Sequence, residues 1–316
     1  METRKLGNSD LQVSVVGLGC NNFGGRLEVS ETKAVVHAAF DAGVNFFDTA
    51  DIYGGRGGSE TQLGEILGRE RQRIILASKF GMKMGDGGTQ AEPQQGASRA
   101  YIMRAVEGSL KRLRTDYLDL YQIHQPDPDT PMEETLEALS ELIQRGMVRY
   151  IGLSNYSAEG VDEAQGEAKR LGVPEFSSSQ DEYSLLVREL ETTLLPTLEK
   201  HNLGLLPYFP LANGLLTGKY RAGEAAPGDA RLSGRGEGDK YFNEANLETV
   251  EKLRAFAEAR DRTLLELAFC WLLSKKVVSS VIAGATKPEQ IEANAQAAGW
   301  QLSEDELAEI DELTTA

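Results

Sequence analysis

Short apolar runs alternate along the chain with longer stretches in which apolar residues return every three or four positions. The runs cover residues 13–20, 44–50, 74–80, 117–124, 148–155, 176–182, 203–211 and 277–283, and most are rich in Val, Ile, Leu or aromatic residues. Each has the length of a strand. The stretches between them carry helical periodicity. In residues 133–143, Leu136, Leu139 and Ile143 fall on one face and the glutamates on the other. Residues 31–42, 101–113, 159–171 and 190–201 repeat that arrangement, and the acidic segment 303–313 reads as a surface helix near the C-terminus.

The strand–helix alternation recurs about eight times, which predicts parallel strands joined by right-handed crossovers. Eight such units in 316 residues fit a closed (β/α)8 TIM barrel of the α/β class, as one domain spanning residues 1–316. An open doubly wound sheet is the rival, and it usually opens with Gly-x-Gly-x-x-Gly after its first strand. The best match here, Gly17-Leu18-Gly19-Cys20-Asn21-Asn22, lacks the third glycine. Leu6-Gly7-Asn8-Ser9-Asp10-Leu11 reads as the turn of an N-terminal β-hairpin ahead of the first barrel strand. Two segments break the rhythm, residues 82–98 and 220–240, both rich in glycine. Both follow strands, so both belong on the C-terminal face of a barrel, where active sites are built from loops.

Composition narrows the class without changing the architecture. Hydrophobic residues make up 41% and charged residues 26%, ordinary for a globular enzyme whose core needs no staples. With 33 Lys and Arg against 49 Asp and Glu, the formal net charge of −16 argues against a nucleic-acid or anionic-membrane partner, while leaving room for a local basic pocket. Two cysteines, Cys20 and Cys270, make no disulfide framework. The start, Met1-Glu2-Thr3-Arg4-Lys5, is polar, and no apolar run reaches about 18 residues. The expectation is a cytoplasmic protein with no metal requirement.

Four polar side chains sit at or just past the ends of apolar runs: Asp48, Tyr53, Lys79 and His124. In a parallel barrel these ends converge on one mouth. A free phenol has a pKa near 10, too high for proton exchange at neutral pH, and a neighbouring ammonium lowers it. A carboxylate beside the Lys keeps it charged, and a His near a substrate oxygen donates to developing negative charge. Together these groups suit protonation of a carbonyl oxygen. Taken singly, each has an ordinary structural alternative: the Asp as a cap, the Lys reaching to solvent, the Tyr simply packed. His124 is the more distinctive, because the other two histidines, His37 and His201, fall in helical stretches.

The segment Phe46-Phe47-Asp48-Thr49-Ala50-Asp51-Ile52-Tyr53-Gly54 with Gly58-Ser59-Glu60 resembles a signature of the aldo-keto reductase family. So do Ala77-Ser78-Lys79-Phe80-Gly81 and Tyr117-Leu118-Asp119-Leu120-Tyr121-Gln122-Ile123-His124. The likeness spans nearly the whole chain and is nearest the branch with a long loop after the seventh strand, which includes bacterial oxidoreductases and potassium-channel β subunits. It implies a catalytic set of Asp48, Tyr53, Lys79 and His124, with Tyr53 as the acid, and an NADP(H) cofactor. Matching positions imply that Ser154, Asn155 and Gln180 hold the nicotinamide carboxamide and that Tyr208 stacks on its ring. The segment 208–219 resembles the loop around the pyrophosphate, implicating Pro210, Leu211, Gly214 and Lys219, although Phe209 stands where that loop usually carries Ser. Residues 283–294 resemble the adenosine site, implicating Gly284, Thr286, Lys287, Gln290 and Asn294. There Ala293 replaces the Glu of many relatives. Thr286 is expected to cap a helix with Pro288 in its first turn, beside which Lys287 would favour a ribose 2′-phosphate. Arg231 is a further candidate phosphate contact in the long loop.

The resemblance therefore implies an enzyme that reduces small-molecule aldehydes or ketones with NADPH. A regulatory subunit that keeps the cofactor but acts through a partner is one alternative. A barrel aldolase or isomerase using Lys79 as a Schiff-base nucleophile is another.

Overall fold

A computed structural model describes residues 1–85, 94–221 and 240–314. Two short strands, β1 (Thr3–Lys5) and β2 (Gln12–Ser14), pair antiparallel as the expected hairpin. Eight parallel strands follow: β3 (Val16–Gly19), β4 (Phe46–Asp48), β5 (Ile75–Phe80), β6 (Leu118–Ile123), β7 (Val148–Ser154), β8 (Ser178–Gln180), β9 (Gly204–Leu205) and β10 (Val281–Gly284). Their order is β10-β3-β4-β5-β6-β7-β8-β9. The ring closes where β9 meets the segment leading into β10, through Leu205 N to Val277 O at 2.8 Å and Ser279 N to Leu205 O at 3.0 Å. The fold is an α/β (β/α)8 barrel.

Helices α1 (Val29–Asp41), α2 (Tyr53–Ile66), α3 (Arg99–Leu113), α4 (Met132–Gln144), α5 (Ala158–Leu171) and α6 (Leu194–Lys200) return the chain between successive strands. The connection from β9 to β10 holds two helices, α7 (Glu244–Glu258) and α8 (Leu264–Ser274). Behind β10 come α9 (Pro288–Gln296) and the expected C-terminal helix α10 (Glu304–Thr314), which packs on α7. Of the two glycine-rich segments, residues 82–85, 94–98 and 220–221 carry no helix or strand; 86–93 and 222–239, with Arg231, lie outside the described residues.

The larger core lies between the outer face of the barrel and the helices, where Phe47, Leu76, Tyr121 and Leu153 meet the apolar stripes of α1 to α5. A smaller cluster fills the barrel's lower interior: Phe46, Ala77, Leu120 and Ile282 from the strands and Leu206 just after β9, sealed by Leu6, Leu11 and Val13 of the hairpin. Side chains alternate faces along a strand, so the residue two positions on from each of these also points inward. Two steps beyond Phe46, Ala77 and Leu120 stand Asp48, Lys79 and Gln122. An apolar floor thus carries a polar layer above it, opening toward the C-terminal ends of the strands.

Candidate active site

Lys79 is buried at the end of β5, and its Nζ has three donors for three acceptors. These are Asp48 Oδ2 at 2.6 Å, the Thr49 carbonyl at 3.0 Å and Tyr53 Oη at 3.3 Å. Asp48 Oδ1 accepts from Gln180 Nε2 at 2.9 Å and Gln122 Nε2 at 3.2 Å. His124, immediately after β6, sets its ring edge-on to Tyr53 with centroids 5.7 Å apart. The four side chains expected to converge on one mouth lie together there.

Tyr53 owes its place to the turn that follows it. Gly54, Gly55, Arg56 and Gly57 all have positive φ, so the chain makes a left-handed turn before α2 becomes regular. At Gly54 (φ 65°) a Cβ would lie 2.3 Å from the Phe23 carbonyl oxygen and 2.6 Å from Ser59 N, so only glycine admits this close approach of two loops. Ser59 and Glu60 then lock the turn: Ser59 Oγ donates to the Cys20 carbonyl at 2.8 Å, and Glu60 receives Ser78 Oγ at 2.5 Å and Arg112 Nε at 2.7 Å.

The electrostatics follow from burial and from the Lys79–Asp48 pair. Burial, the largest single effect, disfavours the Lys79 ammonium, but Asp48 and Tyr53 together, by charge and by hydrogen bond, outweigh it and hold the pKa above the ordinary value. The Tyr53 phenol is pushed up by burial, a larger effect than the downward pull of Lys79. This corrects the expectation of a lowered pKa: Lys79 moderates the shift and does not reverse it. His124 is lowered to about 3, first by burial and then by Lys79, so its imidazole is neutral at neutral pH and has one N–H to donate.

From this cluster a cavity of about 860 Å³ runs across the mouth of the barrel to the start of α9. Ser154, Asn155, Gln180, Tyr208, Pro210, Leu211, Gly214, Lys219, Gly284, Thr286, Lys287, Gln290 and Asn294 all line it, as do Phe209 and Ala293. Near the Lys79 end these groups form one network. Ser154 Oγ donates to the Gln180 carbonyl at 2.8 Å, Asn155 Nδ2 to the His124 carbonyl at 2.9 Å, and Tyr208 Oη to Asn155 Oδ1 at 2.8 Å. Asn155 itself has φ 63°, a left-handed conformation that Asn tolerates, and its N–H is tethered to the Gln180 carbonyl and Asp181 Oδ1. Phe209 also has positive φ, and its ring stands edge-on to Tyr208 at 5.3 Å.

At the far end the cap differs from expectation. Lys287, with extended backbone, occupies the N-cap of α9, and Pro288 is the first helical residue. Thr286 lies one residue earlier, where its N–H and hydroxyl both reach Gln290 Oε1, at 2.7 and 3.1 Å. Proline after an extended residue starts the helix one position later than the sequence pattern implies. His37 and His201 do not line the cavity.

Sequence reasoning left out Gln122, Asp181 and Cys20. Gln122 was findable, since a lone amide two residues before His124 in an apolar strand shares its face. Cys20 lines the cavity with its thiol pushed up by burial, and Asp181 is raised to about 6 by the same cause; neither lies at a position that pattern alone marks.

No helix among the described residues is long and apolar enough to cross a membrane. The family model for the aldo/keto reductase family matches residues 15–315. A probable voltage-gated potassium channel subunit beta from Arabidopsis thaliana is 38% identical over 309 residues, covering 94% of this chain and 91% of its own. The L-glyceraldehyde 3-phosphate reductase of Escherichia coli K12 is 35% identical over 325 residues, covering 99% and 92%. The uncharacterized oxidoreductase YqkF of Bacillus subtilis is 36% identical over 318 residues, covering 99% and 97%. A match over nearly the full chain, joined to a barrel with this polar layer at its mouth, places the protein in the aldo/keto reductase family.

Proposed function

We propose that this protein, acting as a single barrel domain, is an NADPH-dependent reductase of small-molecule aldehydes or ketones, with Tyr53 as general acid. The observation that carries the reading is the saturation of Lys79: its three N–H donors go to Asp48, the Thr49 carbonyl and Tyr53, at the inner end of a cavity long enough for an extended ligand. The cavity's groups suit a dinucleotide. Ser154, Asn155 and Gln180 would hold the carboxamide, Tyr208 would face the nicotinamide ring, and Lys287 at the N-terminus of α9 would favour the 2′-phosphate. When bound, the nicotinamide cofactor supplies the hydride.

The residues of the chain supply the proton and the field around it. Tyr53 holds its proton at neutral pH and gives it to the carbonyl oxygen. Lys79 stabilises the phenolate left behind, because its ammonium is already aimed at Tyr53 Oη. Asp48 keeps that ammonium charged. His124, neutral, donates one N–H to the same carbonyl oxygen and orients it. A Schiff-base role for Lys79 runs against its raised pKa, since such a nucleophile must be neutral.

The test is Tyr53→Phe. NADPH oxidation over a panel of aldehydes and ketones should fall about 10²–10⁴-fold, the usual worth of a positioned proton donor, with NADPH affinity retained. Turnover at the wild-type rate would refute the assignment. A second reading, a regulatory subunit acting through a partner, is favoured by the likeness to the Arabidopsis channel subunit. Steady-state carbonyl reduction by the purified wild-type protein counts against it.

A further inference from the structure

Asp48 is gripped on both oxygens. Lys79 Nζ takes Oδ2 at 2.6 Å, while Oδ1 receives Gln180 Nε2 and, at 3.2 Å, Gln122 Nε2. The terminal torsion of a carboxylate is soft, so a cation on one oxygen leaves the plane of the group free to turn. Two donors on the other oxygen remove that freedom.

Gln122 is fully buried in β6, and its Oε1 has no hydrogen-bond partner among the described residues. A half-satisfied amide is a costly way to fill a barrel interior, where an apolar side chain of the same shape would serve the fold as well or better. Its register partner on β7 is Gly152. A Cβ at Gly152 would meet Gln122 Cγ at 3.0 Å and Ser178 Oγ at 2.5 Å. The missing side chain leaves the lane along which Gln122 crosses the barrel to Asp48.

We propose that Gln122, admitted by Gly152, is a positioning residue that fixes the Asp48 carboxylate so that Lys79 is aimed at Tyr53. The proposal rests on the reading of Tyr53 as proton donor. Gln122→Met keeps the length and removes the donor. In its crystal structure the Asp48 carboxylate should have turned and the Lys79 contact lengthened, with kcat down about tenfold, the scale of one hydrogen bond to a charged group. KM for the carbonyl and Kd for NADPH should be unchanged. Gly152→Ala should reproduce the loss by pushing Gln122 off Asp48; if that variant melts early, Gln122→Met decides alone. In an Asp48→Ala background the Gln122→Met effect should vanish, because both substitutions act through one carboxylate. An unmoved Asp48 in the Gln122→Met structure, or a kcat loss that persists in full without Asp48, would overturn the proposal. Were the wild-type protein inactive on every carbonyl, the proton-donor reading would fail, while the crystal geometry would still decide whether Gln122 holds Asp48.

Discussion

Replacing Lys79 by Met separates the electrostatic from the steric part of the site. The side chain is fully buried, and its ammonium is the counter-charge of Asp48, which is itself 3% exposed. Removing one partner of a buried pair leaves an uncompensated charge and costs about 3–5 kcal/mol. With an unfolding entropy of roughly 2.1 cal/mol/K per residue over 316 residues, that is a fall in Tm of about 5–8 °C. The loss belongs to the stranded carboxylate, so the double variant Asp48→Asn/Lys79→Met should recover at least about half of it, since removing both partners is far less costly than removing one. Activity should behave differently. Without the ammonium nothing offsets the effect of burial on Tyr53, and its phenolate is no longer stabilised, so both single and double variants should lose about 10²-fold or more in kcat. Differential scanning calorimetry and NADPH-coupled assays on the three proteins read the two effects separately. Either a double variant no more stable than Lys79→Met, or a Lys79→Met protein with wild-type kcat, would refute this account of the pair.

Three further outcomes are expected. Gly54→Ala forces a Cβ into the Phe23 carbonyl at positive φ, and should cost about 3 kcal/mol or more in melting stability and displace Tyr53; a wild-type melting curve and turnover would show that the turn relaxes freely. Lys287→Ala should weaken NADPH more than NADH in fluorescence titrations, and equal losses would show that the 2′-phosphate is held elsewhere. Asp51 is buried and raised to about 7, by burial and then by Glu60. Its folded pKa exceeds the unfolded value, so between about pH 4 and pH 7 the native state keeps a proton that the unfolded chain has lost. Its contribution to stability therefore falls as pH rises through that window, and the penalty is complete above pH 7. Asp51→Asn should accordingly raise Tm at pH 8 by more than at pH 5, and equal shifts at the two values would contradict the assignment.

The barrel was legible because its signals are local. Each strand is a short apolar run between polar turns, and most helices show a stripe at the 3.6-residue period. Of three helices outside that reading, two lack the stripe for physical reasons. In α2, the left-handed residues Gly54 to Gly57 break the pattern at its start. In α8, Leu264, Leu267, Ala268, Phe269, Cys270, Trp271, Leu272 and Leu273 are all buried, so there is no stripe to see. The third, α7, does carry a stripe, with Val250, Leu253 and Ala257 buried at three- and four-residue steps, so its spacing alone is enough to mark it.

The side chains at the strand ends were named by their types and places along the chain, but their partners were not. That Lys79 spends its three donors on Asp48, Thr49 and Tyr53, and that Gln122 and Gln180 meet on one carboxylate oxygen, depends on five strands curling until residues up to 132 positions apart touch. Charge state is decided at the same level. A Tyr beside a Lys reads as a lowered pKa on paper, yet the closed barrel withdraws water from both, and burial then outweighs the neighbour. Local pattern selects the elements and supplies the chemistry-bearing residues; only packing determines how far each lies from water and from the others, and those distances set what the residues can do.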